Sequence, residues 1–140
     1  MKKVVVRYNG EKPTRGSGES AGYDVVSKDD VFLKPHQVGK VTTPTKLQPI
    51  QDYFYTAVPR SSLCNKNGLI LLNSVGIIDK DYTGNMIWNF WNLSNEPVTI
   101  KAGERIGQIV FHEMVEAQFV KEEFKETERG ENGFGSSGKF

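Results

Sequence analysis

A short polar run, Asp79-Lys80-Asp81-Tyr82-Thr83-Gly84, separates two apolar stretches of this chain, Gly68 to Ile78 and Met86 to Leu93. A carboxylate that follows an apolar strand and precedes a glycine sits where the chain reverses direction. The run therefore reads as the tip of a β-hairpin with chemistry on it. The alternative is an ordinary turn, because Asp and Gly also serve turns for purely conformational reasons. Polar groups elsewhere favour the first reading. Arg60-Ser61-Ser62 lies upstream, Arg105 and Gln108 interrupt a β-branched stretch downstream, and a Gly/Ser segment with Arg129 follows at the carboxy-terminal side. Asp24, within Ala21-Gly22-Tyr23-Asp24-Val25-Val26, is either a turn former or a carboxylate held beside a site.

Ser61 to Asn67 is the one place where a short helix fits, with Ser61 or Ser62 as N-cap and Gly68 ending it. With Arg60 beside it, that start is either an anion seat or simply a capped turn. Arg105 either pairs with a surface acid or reaches a ligand. Gly133 to Lys139 imitates the phosphate-loop spacing, but Phe140 stands where Ser or Thr is required, so the match is rejected. Glycine backbones, hydroxyls and an arginine still suit a phosphate chain. Phe134, alone among glycines, either anchors the tail or closes over a ring-shaped ligand.

The elements that must position these groups are strands. Val4 to Val6, Ala21 to Val26, Val31 to Leu33, Val38 to Thr43, Tyr53 to Val58, Val98 to Ile100 and Arg105 to Phe111 are β-prone runs. Asn9 to Ser20 reads as a loop, and short strands at this spacing predict a sandwich or barrel. Met86, Trp88 and Phe90 alternate with Ile87, Asn89 and Trp91, so that strand is apolar on both faces and belongs mid-sandwich or at a subunit contact. Glu116 to Glu128 is acidic and weakly periodic, and residues 129–140 are too Gly-rich to form a core element.

With 140 residues the chain is one domain in size, and 18 basic against 17 acidic side chains leave no electrostatic footprint for double-stranded nucleic acid. Cys64 is the single cysteine, so no intrachain disulfide forms and a reducing compartment is expected. No window reaches the length of a membrane span, and Val4-Val5-Val6 is too short for a signal-peptide core. The expected location is the cytoplasm, or the host cytoplasm for a virus-encoded protein. His36 and His112 have no metal-ligand spacing and are assigned to structure or surface. No serine stands in an elbow motif, so covalent acyl chemistry has no support.

These residues resemble the trimeric dUTPase (deoxyuridine triphosphate nucleotidohydrolase) family, whose motifs appear here in order. They are Ala21-Gly22-Tyr23-Asp24, Pro59-Arg60-Ser61-Ser62-Leu63, Asn73-Ser74-Val75-Gly76-Ile77-Ile78-Asp79-Lys80-Asp81-Tyr82-Thr83-Gly84, Gly103-Glu104-Arg105-Ile106-Gly107-Gln108, and Arg129-Gly130 with Gly133-Phe134-Gly135-Ser136-Ser137-Gly138. The resemblance implies an all-β fold, a distorted jelly-roll sandwich or barrel over residues 1–128 with one short helix. It also implies a flexible Gly-rich arm, 129–140, that closes over the active site. The implied assembly is a homotrimer with shared sites: one chain gives the first, second and fourth motifs, another the hairpin, and the last the tail.

The implied reaction is hydrolysis of dUTP to dUMP and pyrophosphate with Mg2+ on the triphosphate, which keeps uracil out of DNA and supplies dUMP for thymidylate synthesis. By position, Asp79 would orient and deprotonate the attacking water and hold the sugar 3′-hydroxyl. Asn73 and the backbone around Gly76 would pair with the uracil edge, and Tyr82 would pack under the deoxyribose. Arg60, Ser61, Ser62 and Gln108 look like phosphate contacts. Arg129, Gly135, Ser136 and Ser137 would close on the outer phosphates while Phe134 stacks on uracil. Asp24 would touch the metal through its water shell, with Arg105 bracing Asp24 or the subunit contact. Departures from the family pattern are Ser62 for glycine, Gly107 for alanine, Asn132 for glycine and Asn85 for Glu or Gln; none removes a group with a chemical role. Rival readings are a deoxycytidine triphosphate deaminase, which needs a glutamate where this hairpin has Asp79, and a non-catalytic binding or regulatory protein with an unidentified protein partner.

Overall fold

Strand alternation does build this molecule, although not every strand lies where its residues first place it. The computed structural model describes residues 1–140, in the order β1 (Val6–Gly10), β2 (Tyr23–Val26), β3 (Val31–Leu33), β4 (Val38–Thr42), β5 (Thr45–Pro49), β6 (Tyr53–Pro59), α1 (Ser61–Asn67), β7 (Leu69–Leu71), β8 (Gly76–Ile78), β9 (Ile87–Asn92), β10 (Val98–Ile100) and β11 (Arg105–Glu113). All pairings are antiparallel. The larger sheets run β2-β11-β6-β8 and β4-β9-β7, and β1-β5 and β10-β3 form smaller ones. No helix is long and apolar enough to cross a membrane.

The core is filled from the inward faces of these strands. On β9, Trp88, Phe90 and Asn92 are buried, whereas Ile87 and Trp91 stay exposed on the other face of the single chain. The Trp88 and Phe90 rings stack with centroids 6.2 Å apart, inside a cluster that includes Val25, Tyr55, Ile106 and Ile109. Each such side chain contributes roughly 1.5–3 kcal/mol by leaving water. Asn92 is a buried polar hub. Its Nδ2 donates to the carbonyls of Leu33 (3.2 Å), Lys34 (3.2 Å) and Glu96 (2.8 Å), and its Oδ1 accepts from the Ser94 hydroxyl at 2.7 Å. Full pairing is what makes a buried amide tolerable.

Several expectations need correction. The first strand starts at Val6, and Asn9 and Gly10, expected in a loop, pair with β5. β5 was hidden by Pro44 and Pro49 at its ends, which is where prolines fit a strand. The apolar run Gly68 to Ile78 is not one strand. It divides at Leu72 to Val75, where Ser74 takes a left-handed φ of 67°. β8 pairs with β6, while β9 pairs with β4 and β7, so the expected hairpin has no ladder of its own. Its turn instead crosses from one sheet to another. Helix α1 has the expected span and ends at Gly68 in the left-handed region (φ 67°), but its N-cap is Arg60, not Ser61 or Ser62. His36 and His112 hold structure: their Nε2 atoms lie 3.1 Å from Asn95 Oδ1 and 3.0 Å from Thr56 Oγ1.

Tyr55 is fully buried on β6 and its hydroxyl has no hydrogen-bond partner. Burial, helped by the nearby Tyr82 phenol, pushes its pKa up to about 12. A raised phenol pKa means that the unfolded chain releases this proton first, so the contribution to stability is complete below the ordinary tyrosine range and is lost as pH climbs towards 12. Tyr55→Phe should therefore leave stability at neutral pH unchanged or raised by up to about 1 kcal/mol, because a partnerless buried hydroxyl is removed. It should also flatten the loss of stability above pH 10, as denaturant unfolding of both proteins across that range will read.

Candidate functional site

The residues singled out from the sequence form separate groups within one chain. The first gathers where β2, β11 and the β6–α1 junction meet. Antiparallel register sets Asp24 opposite Gln108. Arg105 Nη1 lies 3.5 Å from the Asp24 carboxylate, and the Asp24 backbone N–H donates to the Thr14 carbonyl at 2.6 Å. The Gln108 side chain lies across Gly22, where an added Cβ would fall 2.3 Å from its Oε1. The β2–β11 register slips between Arg105 and Gly107, and Ile106 turns into the core between the exposed Arg105 and the half-buried Gln108. The Arg60 N–H donates to the Ile106 carbonyl at 3.3 Å, seating α1 against the start of β11. Arg60 itself takes the cap position without a side-chain cap bond, so the hydroxyls of Ser61 and Ser62 remain unspent. This end of the sheet thus offers a guanidinium, two hydroxyls and an amide, a set of donors suited to oxyanions.

The second group lies along the crossing between β8 and β9. Asn73 is exposed in the turn after β7, where the Val75 N–H donates to its carbonyl at 2.7 Å beside the left-handed Ser74. Gly76 opens β8 against Ala57, whose Cβ would be 3.2 Å from a Cβ added at that glycine. Asp79 is exposed, its carboxylate bonded to no other protein group, and its carbonyl accepts the Tyr82 N–H at 3.1 Å. Lys80 Nζ binds Asp52 Oδ1 at 2.8 Å, and that hydrogen bond holds the Asp52 carboxyl below the usual range. Ile77, Ile78, Asp79, Tyr82, Met86 and Ile87 line a cleft of about 270 Å³. An apolar cleft with one carboxylate and one phenol can hold a flat or cyclic group beside a proton acceptor.

The two groups lie towards opposite ends of β6. Ile78 is opposite Tyr55, so Asp79 comes level with Phe54 near the strand's beginning, while Gln108 is opposite Val58 and Arg60 follows the strand's end. At about 3.2–3.4 Å per residue the separation along the strand is roughly 13–20 Å. A third group is the tail, where Arg129 Nε donates to the Asn132 carbonyl at 2.7 Å and Ser136 N–H to Gly133 at 3.1 Å. Arg129, Gly135, Ser136 and Ser137 share a cleft there of about 530 Å³, while Phe134 is fully exposed with φ 52°. No hydrogen bond ties this tail to the sheets, so one chain does not bring the three groups together. Sequence reasoning gave no part to Gly22, Lys80 or the Asn85 side chain, all of which position the singled-out residues. Their positions stand in or beside the motifs, but the part each plays is a spatial one that residue order does not show.

With that geometry described, known proteins give it context. A family model described as dUTPase matches residues 8–138. The chain is 44% identical over 131 residues to the deoxyuridine 5′-triphosphate nucleotidohydrolase of Glaesserella parasuis, covering 91% of this chain and 87% of that protein. It is 41% identical over 150 residues to the protein of the same name from Pasteurella multocida, covering 99% of each. The fold superposes with a TM-score of 0.87 on the Staphylococcus bacteriophage 80alpha dUTPase with dUPNHPP, at 26% identity, covering 96% of this chain and 98% of that one.

Gly107, standing where alanine is usual in the family resemblance, is buried with no space for a methyl group. A Cβ there would lie 2.5 Å from the Val58 carbonyl oxygen and 2.6 Å from the Trp88 ring. Gly107→Ala should destabilise the protein by about 1–3 kcal/mol through overpacking. Trp88→Phe is costly alone, but a double-mutant cycle from melting curves should show the pair to be less destabilised than the sum of the singles.

Proposed function

The chain belongs to the dUTPase family, and on that premise we propose how it works: it hydrolyses dUTP to dUMP, and the bond is broken by in-line attack of water on the α-phosphorus. The water oxygen bonds to the α-phosphorus, the bond to the oxygen bridging the α- and β-phosphorus atoms breaks, and pyrophosphate leaves. What carries the reading is the family match across nearly the whole chain, together with an unpaired carboxylate, Asp79, on a braced turn.

In this reading Asp79 aims the water and accepts its proton while holding the sugar 3′-hydroxyl. General-base help of this kind contributes about 10²- to 10⁴-fold. Tyr82, in the same cleft, packs under the deoxyribose and opposes a 2′-hydroxyl. Asn73 and the backbone at Gly76 pair with the uracil edge. Arg60, Ser61, Ser62 and Gln108 bind phosphate oxygens with the donors left free at the β6–α1 junction. The arm 129–140 acts as a lid on the domain 1–128: Arg129, Gly135, Ser136 and Ser137 hold the outer phosphates, Phe134 covers uracil, and bulk water is excluded.

The separation of Asp79 from Arg60 and Gln108 along β6 supports a homotrimer whose sites draw on neighbouring chains, because the base and the phosphate donors of one chain lie too far apart to act on one α-phosphate. Mg2+ fits the donor chemistry: Asp24 offers a hard, partly exposed carboxylate, held only loosely by Arg105 at 3.5 Å, suited to a cation bound mainly by phosphate oxygens and water. When bound, the ion neutralises charge on the triphosphate. The lone free thiol, Cys64, and the absence of long apolar helices fit a place in the cytoplasm. The biological consequence of the reaction is removal of dUTP from the precursor pool and supply of dUMP.

A pyrophosphate-release assay over dUTP, dCTP, dTTP and UTP with Mg2+ tests the reading, and cleavage of dUTP alone is the expected outcome. Asp79→Asn should lower kcat at least about 10²-fold while dUTP still binds, as calorimetry can show. A chain lacking residues 129–140 should melt as the full chain does, yet lose activity by orders of magnitude; wild-type rates without the arm would remove its role as lid.

A further inference from the structure

A phenol ring that is half open to water holds one position only if something fixes it, because an exposed side chain otherwise hops among rotamers. Tyr82 is 44% exposed, yet its hydroxyl donates to the Asn85 carbonyl at 2.8 Å, and its ring lies so close over Gly84 that a Cβ there would fall 2.6 Å from the phenol oxygen. Asn85 is in turn tied inward. Its Nδ2 donates to the Thr43 carbonyl at 2.9 Å, and the next carbonyl, that of Met86, accepts the Thr43 N–H at 2.9 Å. Thr43 is fully buried, so close packing of the interior holds it.

We propose that Asn85 is a positioning residue for sugar discrimination: its amide transmits the fixed position of Thr43, through its own carbonyl, to the ring of Tyr82. The inference rests on the assignment of Tyr82 to the deoxyribose and deepens it. A ring that can retreat tolerates an additional hydroxyl, whereas a ring bonded back to the core does not, so the relay acts on the choice between deoxynucleotide and ribonucleotide more than on the chemical step. Gly84 belongs to the same device, since only a residue without a side chain lets the ring lie flat across the turn.

The test compares kcat/KM for dUTP and UTP in the wild type, Asn85→Asp, Asn85→Ala, Tyr82→Phe and the double variant Asn85→Asp/Tyr82→Phe. Asp keeps the shape of Asn85 but cannot donate to the Thr43 carbonyl, so both Asn85 variants should lower the dUTP-to-UTP ratio by about 5- to 10-fold, the loss expected for one hydrogen bond. Tyr82→Phe cuts the relay at its outer end and should lower the ratio similarly, and Asn85→Asp should add little to it. An unchanged ratio in the Asn85 variants, or fully additive losses in the double variant, would overturn the proposal. Should the Asn85 variants not fold by circular dichroism, Tyr82→Phe decides alone: an unchanged ratio overturns the relay. A wild type that leaves dUTP uncut sinks the proposed function instead. In that event the Tyr82 ring resonance, followed by carbon-13 tyrosine labelling, still reports on the relay: it should shift in Asn85→Asp, and a constant resonance overturns the positioning.

Discussion

The chain leaves one sheet at Ile78 and enters another at Ile87, and the way that gap is bridged governs the rest of the site. A hairpin with its own ladder would satisfy its backbone groups automatically. Here β8 spends its hydrogen bonds on β6, and β9 spends its own on β4 and β7, so the crossing segment has to find partners elsewhere. It finds them locally, in the Tyr82 N–H to Asp79 carbonyl bond, and at a distance, in the ties from Asn85 and Met86 to Thr43 and from Lys80 to Asp52. The surface ion pair adds little energy alone. Together with the buried contacts it leaves a turn that is held at both ends while its carboxylate stays free.

The inner end of that crossing is fastened to the largest ring in the core. Met86 and Trp88 are almost entirely buried, and the Trp88 indole packs both along Phe90 and against the backbone of Gly107. Gly107 lies between Ile106, whose carbonyl seats Arg60, and Gln108, which faces Asp24. One indole therefore stands between the turn that carries Asp79 and the strand that carries the phosphate-type donors. Only a residue without a Cβ lets the indole lie that close to the backbone at this point, so the glycine is part of the packing.

The placement of acid and donors towards opposite ends of β6 also gives physical meaning to the open face of β9. A single chain leaves Ile87 and Trp91 exposed and leaves its chemical groups unassembled. Under the homotrimer proposed above, burial of that apolar surface would supply the driving force for association, and sites shared between copies would join groups that one chain keeps apart. The tail is hydrogen-bonded within itself and to Thr127, with no bond to the sheets.

Much of this was legible in residue order, and the physical reason is that periodicity and turn chemistry are local. The apolar run Val31 to Leu33, the alternation at Val98 to Ile100, the helix closing at Gly68, and the polar groups Asp24, Arg60, Asp79 and Gln108 are visible within a few residues of themselves. β5 was not, because prolines at its ends mimic a loop; nor was the break at Ser74, because a left-handed serine carries no signal of its own. Which strand takes which partner, and whether the amide of Asn85 meets water or the Thr43 carbonyl, depends on groups some forty positions apart in the chain. Residue types alone determined the β class and the inventory of chemistry; the tertiary structure decided the pairing, the crossing between sheets and the fixing of Tyr82, since hydrogen bonds between distant segments exist only once the chain has closed on itself.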